Sequence, residues 1–114
     1  MIAVIFEVVP AEGHASDYFD IAAALKPHLA GMDGFLSIER YQSLADPARY
    51  LSLSFWEDEA AVARWRNTSG HRAAQSAGRT RILGDYRLRI AVVTRDYGLH
   101  DRAQAPADSR ATHG

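Results

Sequence analysis

The sequence predicts an α+β domain of the ferredoxin-like type, with the element order βαββαβ and both helices on one face of a four-stranded antiparallel sheet. Three observations predict it: apolar residues recur at helical spacing in two segments, they alternate at period two in others, and a short turn joins the second and third strands. The 114 residues suit one domain. We assign residues 1–98 to this domain and residues 99–114, which lose all periodicity, to a disordered C-terminal tail.

The first half of the chain predicts one strand and one helix. "IAVIFEVV" (Ile2–Val9) is β-branched and almost wholly apolar, which is typical of a central strand covered on both faces. "SDYFDIAAALKPHLAGMDGF" has helical periodicity, with Ser16 or Asp17 as the expected cap. Pro27 lacks the amide hydrogen of an interior helical residue, so we expect the helix to bend or end there.

The second half predicts a hairpin, a helix and a last strand. "FLSIERYQS" (Phe35–Ser43) and "YLSLSFW" (Tyr50–Trp56) alternate around the turn "ADPAR". "EDEAAVARWRN" (Glu57–Asn67) has acidic residues in its first turn, where the helix dipole favours them. "DYRLRIAVVTRDYG" (Asp85–Gly98) predicts the last strand. With the first strand and helix, these elements complete the βαββαβ order.

The face of the sheet that the helices leave uncovered is also predicted to be apolar. The first strand is apolar on both sides, and Ala91 and Val93 lie opposite Tyr86 on the last strand. An exposed apolar face of that area usually marks an interface. We therefore expect a two-fold homodimer whose sheets pack face to face.

Composition excludes several classes of function. The chain has no cysteine, which rules out thiolate nucleophiles and cysteine-ligated metals and suits the cytoplasm. The apolar start is short and lacks a basic region, so it predicts a strand and not a signal peptide, and no segment approaches a membrane span. His14, His28 and His100 do not have the spacing of a metal site. We expect no metal, no nucleic acid and no membrane partner.

The charges are unevenly distributed along the chain. Residues 1–63 carry ten acidic and three basic side chains, whereas residues 64–95 carry eight arginines and one acid, Asp85. Two interpretations stay open: pairing between acidic and basic surfaces within the molecule, or an anion-accepting rim near the C-terminal half, since arginine makes bidentate contacts to carboxylate and phosphate.

"SFWEDEAAVARWRNTSGHRAAQSAGR" followed by "DYRLRIAVVTRDYG" resembles the antibiotic biosynthesis monooxygenase domain family. The shared features are a strand ending in Trp-Glu, a second tryptophan on the next helix, an "H-R-x-A-Q" segment and the "MDGF" turn. The resemblance covers about residues 2–98. It implies a dimeric α+β barrel with a pocket between helices and sheet in each subunit. It also implies oxidation of a small aromatic or quinol-type molecule by O2 without a cofactor.

A haem-degrading branch of the family offers an alternative function. That branch has an asparagine in the first strand, a tryptophan on the second helix and an iron-ligating histidine about ten residues further on. Here Trp65 matches, but Glu7 stands at the asparagine position and Gln75 at the histidine position. His71 lies one helical turn earlier. Haem degradation and a non-catalytic dimer that binds a small ligand therefore remain the alternatives to a cofactor-free monooxygenase.

Three residues are candidates for catalysis. His71 has an ordinary pKa near 6.5, so it can take a proton from a phenol, and the resulting anion can pass an electron to O2. Trp65 either lines a planar ligand or packs on the sheet. Asn67 either orients the substrate or caps its helix. The alternative for His71 is a solvated surface position.

Four residues are candidates for substrate binding. Arg72 would contact a carbonyl or carboxylate of the substrate, unless it is solvated. Phe19 and Phe55 would wall the pocket, unless they belong to the core. Glu7 is unusual in an apolar strand, and we expect it to pair with an arginine such as Arg87 or Arg89, to face solvent, or to act as an acid or base.

Overall fold

The computed structural model describes residues 1–68 and 82–113. Their helices and strands are, in chain order, β1 (Ile2–Pro10), α1 (Ala15–Ala30), β2 (Phe35–Gln42), β3 (Tyr50–Trp56), α2 (Glu59–Arg66), β4 (Leu83–Val92) and α3 (Ala107–His113). The predicted ferredoxin-like order βαββαβ is confirmed, with a short helix added after it. No helix within the described ranges is long and apolar enough to cross a membrane.

The four strands form one antiparallel sheet in the order β2-β3-β1-β4. β1 is central, and Phe6 in its middle lies opposite Ser52 of β3 on one side and Leu88 of β4 on the other. The apolar sequence of β1 fits this position, because a central strand is covered on both faces.

One face of the sheet packs against α1 and α2. Side chains alternate along a strand, so the even-numbered residues of β1 share this face with Trp56, Ser54, Ser52 and Tyr50 of β3. The principal core cluster joins this face to both helices and consists of Ile2, Leu29, Trp56, Ala61, Val62 and Trp65. A second cluster, of Val8, Tyr18 and Ile82, lies at the other end of β1.

The opposite face of the sheet, which we call the outer face, is apolar in its centre. The register places on it Ala3, Ile5, Leu51, Leu53, Phe55 and Ala91. Charged residues lie toward one end of the same face, where Arg89 Nη1 is 2.9 Å from Glu7 Oε1 and Arg49 Nη1 is 4.0 Å from Glu7 Oε2. The pairing of Glu7 with Arg89 that the sequence predicts is present.

The turn before β2 packs tightly against α2. Gly34 has φ +83°, and an ideal Cβ built there would lie 2.6 Å from the Cβ of Ala61. Ala61 is fully buried. The backbone amide of Glu57 also donates to the Gly34 carbonyl at 2.8 Å. Only glycine therefore fits the space between this turn and the helix.

Helix α1 differs from the sequence prediction at both ends. It begins at Ala15, and the preceding His14 makes no side-chain cap bond, so neither Ser16 nor Asp17 is the cap. The helix also continues past Pro27 to Ala30. Pro27 lies in the last turn and both it and its partner carbonyl residue, Ala23, are exposed, so water can hydrogen-bond that carbonyl.

The segment after Gly98 contains regular structure that its sequence does not predict. α3 occupies Ala107–His113, and local side-chain bonds precede it. Arg102 Nη2 donates to Ser109 Oγ at 2.8 Å, and Gln104 Oε1 accepts from the Asp96 amide at 2.9 Å. The segment is held by polar contacts, so its sequence needs no apolar periodicity. Because that periodicity is absent, the sequence predicted a disordered tail.

Candidate active site

A cavity of about 290 Å³ lies between α1, α2 and the helix-facing side of the sheet. This volume is at the small end of the range typical of ligand pockets, about 300–1,000 Å³. Its apolar lining includes residues from every element around it, among them Phe6, Ile21, Leu25, Ile38, Val62 and Leu88. The cavity is therefore shaped by the same packing that forms the core, and its lining residue Leu88 remains 51% exposed.

Two tryptophans form one wall of the cavity. Trp56 closes β3 and is 1% exposed, and Trp65 lies in the last turn of α2. Their rings stack with centroids 6.4 Å apart and an interplanar angle of 29°. The indole Nε1 of Trp56 donates to Ser54 Oγ at 3.0 Å, which fixes that ring. Both indoles belong to the principal core cluster and are largely buried, so a ligand would meet only the parts of the pair that border the cavity.

A polar strip crosses the sheet side of the cavity. It consists of Arg40 on β2 and the buried Ser52 and Ser54 on β3, and Arg40 lies directly opposite Ser52 in the register. Tyr18 of α1 lines the same cavity from the helix side. Burial raises the pKa of Tyr18 above its usual 10.0, and the hydrogen bond and positive charge of Arg40 offset part of that rise. Tyr18 therefore stays protonated at neutral pH.

The charged side chains that line the cavity are all positive among the described residues. Arg40 and Arg66 line it, whereas no aspartate or glutamate does so among the described residues. Arg40 also takes part in none of the ion pairs found within residues 1–68 and 82–113. Within residues 1–68 and 82–113, the charge of Arg40 therefore faces a largely apolar cavity that no carboxylate lines.

The structure places one of the three predicted catalytic residues in the cavity wall. Trp65 lines it. Asn67 ends α2, is exposed, and donates from Nδ2 to the Ala63 carbonyl at 2.8 Å, which is the capping geometry that the sequence left open as the alternative. His71 lies outside the described residues.

The predicted substrate-binding residues are not gathered at this cavity. Phe19 does not line it; this residue is 38% exposed, and its ring lies edge-on to that of Tyr50 with the centroids 4.9 Å apart. Phe55 and Glu7 lie on the outer face of the sheet, because each is an odd-numbered residue of its strand. Arg72 lies outside the described residues. Phe55 and Glu7 therefore do not contact a ligand in this cavity.

The position of Glu7 also bears on the haem alternative. Glu7 stands where the haem-degrading branch has its asparagine, yet its carboxylate pairs with Arg89 on the outer face. The neighbouring residue that lines the cavity is Phe6. Among the described residues, no group of three or more histidine, cysteine, aspartate or glutamate side chains is placed to hold a metal ion.

The sequence did not single out the polar strip. Ser52 and Ser54 alternate with Leu51, Leu53 and Phe55 along β3. The larger apolar side chains suggest that their own face is the one the helices cover, whereas the serines lie on the covered face. The signal that could have found it was the cross-strand pairing: β2 carries Arg40 where β3 carries Ser52, both on one face. The length of the hairpin turn sets that register approximately from the sequence alone.

The fold and cavity define a ferredoxin-like α+β domain with a cavity between its helices and sheet. The family model "Antibiotic biosynthesis monooxygenase" matches residues 1–77, more than half of the chain. The chain belongs to this family, as its sequence motifs indicated.

Two relatives and one solved structure show how far this similarity extends. The "Jasmonate monooxygenase ABM" of Pyricularia oryzae is 49% identical over 94 residues, covering 82% of this chain but only 44% of that protein. The chain thus spans less than half the length of this relative. YqjZ of Bacillus subtilis is 33% identical over 93 residues, covering 82% of this chain and 79% of that protein. A mutant of SnoaB from Streptomyces nogalater, described as a cofactor-independent oxygenase, shares the fold with a TM-score of 0.72 at 14% identity, covering 83% and 94% of the two chains.

Proposed function

We propose that this protein is a monooxygenase that oxidises a small, largely apolar cyclic molecule of aromatic or quinol type, with O2 as the oxidant. The observation that carries the proposal is the largely apolar cavity bordered by Phe6, Trp56 and Trp65, in a chain of this family. The 49% identity to a protein named a jasmonate monooxygenase supports the reaction class. The aromatic residues that line the cavity, among them Phe6 and Trp65, support a cyclic substrate.

The proposed reaction needs no electron donor other than the substrate. One oxygen atom enters the ring as a carbonyl, and the other leaves as water with the two hydrogens that the substrate loses. The first step removes a phenolic proton, because the resulting anion is electron-rich enough to reduce O2. The apolar side chains around the cavity lower the local dielectric constant, which strengthens charge interactions there.

The base in this reaction is proposed from the sequence. The ionisable side chains that line the cavity within the described residues are Tyr18, Tyr86, Arg40 and Arg66, and none of them is a histidine or a carboxylate, the side chains that most often act as general bases. Tyr18 in particular serves as a hydrogen-bond donor, since its pKa is raised by burial. His71 therefore remains the proposed base.

We propose that the enzyme works without a cofactor. The description of SnoaB as a cofactor-independent oxygenase supports this for a protein of the same fold. A titration with haemin tests the haem alternative directly: a Soret shift, followed by loss of the band on adding reductant, would favour haem degradation. A cytoplasmic location stays a prediction from the sequence.

Incorporation of ¹⁸O from ¹⁸O2 tests the activity. 1,5-Dihydroxynaphthalene is a suitable probe, because its oxidation to 5-hydroxy-1,4-naphthoquinone follows the stoichiometry above. We expect metal-free protein to produce quinone with one labelled oxygen, faster than the uncatalysed reaction. 1,5-Dimethoxynaphthalene, which has no phenolic proton, should give no product. Binding of the probe without any enzyme-dependent product would contradict the proposal and favour the ligand-binding alternative.

We also propose that two copies associate through the outer faces of their sheets. The half-buried apolar centre of that face, around Ile5, Leu53 and Phe55, supports this. Sedimentation at micromolar concentration should give twice the mass of the chain. Leu53→Asp should produce monomers, whereas Leu44→Asp, in a fully exposed turn position, should not. A monomeric wild-type protein would contradict this interface.

A further inference from the structure

We infer that Arg40, together with Tyr18, binds an anionic oxygen group of the substrate, so that the substrate class is an organic anion with an apolar cyclic body. This inference rests on the proposed function for the location of the substrate. It goes beyond it by naming the group that the substrate must carry and the residues that hold it.

The charge of Arg40 lies in a largely apolar environment. Arg40 is half-buried, lines an apolar cavity and forms no ion pair within the described parts of the chain. Placing a charge among apolar side chains without a counter-charge costs free energy. An anion in the cavity would remove that cost, whereas a neutral ligand would displace water from the guanidinium and increase it.

Hydrogen bonding of the same side chain is also incomplete within the described residues. Arg40 Nε is buried and has no hydrogen-bond partner among the described residues. Buried polar atoms without partners are uncommon in folded proteins and often have a functional explanation. Because Nε is buried, packing already restricts the guanidinium before an anion binds, which lowers the entropy lost on binding.

Tyr18 supplies a second hydrogen-bond donor in the same cavity. Tyr18 of α1 and Arg40 of β2 both line the cavity, and the positive charge of Arg40 acts on the Tyr18 hydroxyl. A guanidinium and a protonated phenol together offer several N–H and O–H donors to one anionic oxygen group. Carboxylates and ionised phenols share this chemistry, and a carboxylate additionally fits the guanidinium in a bidentate manner.

Isothermal titration calorimetry of the wild-type protein tests the inference with probes matched in shape. 2-Naphthoate carries the anion, and 2-naphthamide is its neutral counterpart. We expect naphthoate to bind at least about tenfold more tightly, as loss of one charge-assisted hydrogen bond implies. 4-Nitrophenol, titrated above and below its pKa, reports whether a phenolate is also accepted. Equal affinities for naphthoate and naphthamide, or no detectable binding of naphthoate, would overturn the inference.

A variant pair assigns the effect to Arg40. Arg40→Gln should remove the preference for naphthoate over naphthamide, and Arg40→Lys, which keeps the charge, should retain part of it. Arg95→Gln removes an exposed arginine that does not line the cavity and should change neither affinity. A preference that persists in folded Arg40→Gln would refute the role of Arg40.

The two proposals can fail separately. Binding is measured without turnover, whereas the monooxygenase activity is measured by ¹⁸O incorporation. Preferential binding of the anion with no labelled product would uphold the anion site and reject the activity. Labelled product without any anion preference would do the reverse.

Discussion

Replacing Gly34 by alanine should destabilise the protein much more than replacing Gly13, although both residues have positive φ. Gly13 has φ +79° and nothing within 4 Å of an added Cβ, whereas the Cβ at Gly34 would lie 2.6 Å from that of Ala61. The left-handed backbone costs alanine about 1–2 kcal/mol at either site. The overlap with Ala61 adds about 1–3 kcal/mol at Gly34 alone, by analogy with overpacked cores. The difference between the two variants is therefore about 1–3 kcal/mol.

Urea unfolding, followed by tryptophan fluorescence, measures this difference. Trp56 and Trp65 are buried in the core beside Ala61, so their emission reports on this region. All proteins are compared at one concentration, because the stability of a dimer depends on it. Introducing Ala61→Gly into the Gly34→Ala protein should recover part of the loss. Equal stabilities of the Gly13→Ala and Gly34→Ala proteins would refute the close approach of this turn to α2.

Three further predictions concern single interactions. Glu7→Gln should lower the free energy of unfolding by only about 0.2–1 kcal/mol, less in high salt, because its pair with Arg89 is partly exposed; a loss of several kcal/mol in urea unfolding would contradict this. Because the folded state raises the pKa of Tyr18, the contribution of this shift to stability is present below pH 10.0 and is lost as pH rises above that value. The urea midpoint should therefore fall less steeply with rising pH for Tyr18→Phe than for the wild-type protein. An equal fall of the midpoint in the two proteins would count against the shift. Ser54→Ala should cost about 1–3 kcal/mol by removing the acceptor of the buried Trp56 Nε1, and Ser54→Thr less; equal urea stabilities of the two variants would argue that this hydrogen bond contributes little.

The fold followed from the sequence because its signals are local. Period-two alternation marked β3 at Tyr50–Trp56, the same bounds that the structure has. Helical spacing marked α1 and α2, although the ends of α1 were misplaced. The start of the helix at Ala15 and its passage through Pro27 depend on contacts and solvent exposure that a residue pattern does not contain.

The site was harder to predict because it depends on which face of a strand meets the helices. Alternation in β3 defines two faces, but it does not say which is covered. Phe55 is the larger apolar residue, yet Ser54 faces the cavity and Phe55 the outer face. Trp65 was placed better, since its helical neighbours Ala61 and Val62 already marked the buried side of α2. Only the register between strands brings Arg40 into the cavity.

Blocking the cavity tests most directly whether oxidation takes place there. Leu88 and Val92 lie on the same face of β4 and are 51% and 68% exposed, but only Leu88 lines the cavity. Oxygen uptake with 1,5-dihydroxynaphthalene, corrected for the uncatalysed rate, is measured for Leu88→Trp and Val92→Trp. The account predicts a loss of at least about tenfold for Leu88→Trp, since a displaced substrate reacts poorly, and a rate close to wild type for Val92→Trp. Equal rates in the two variants would contradict the assignment of the cavity as the active site.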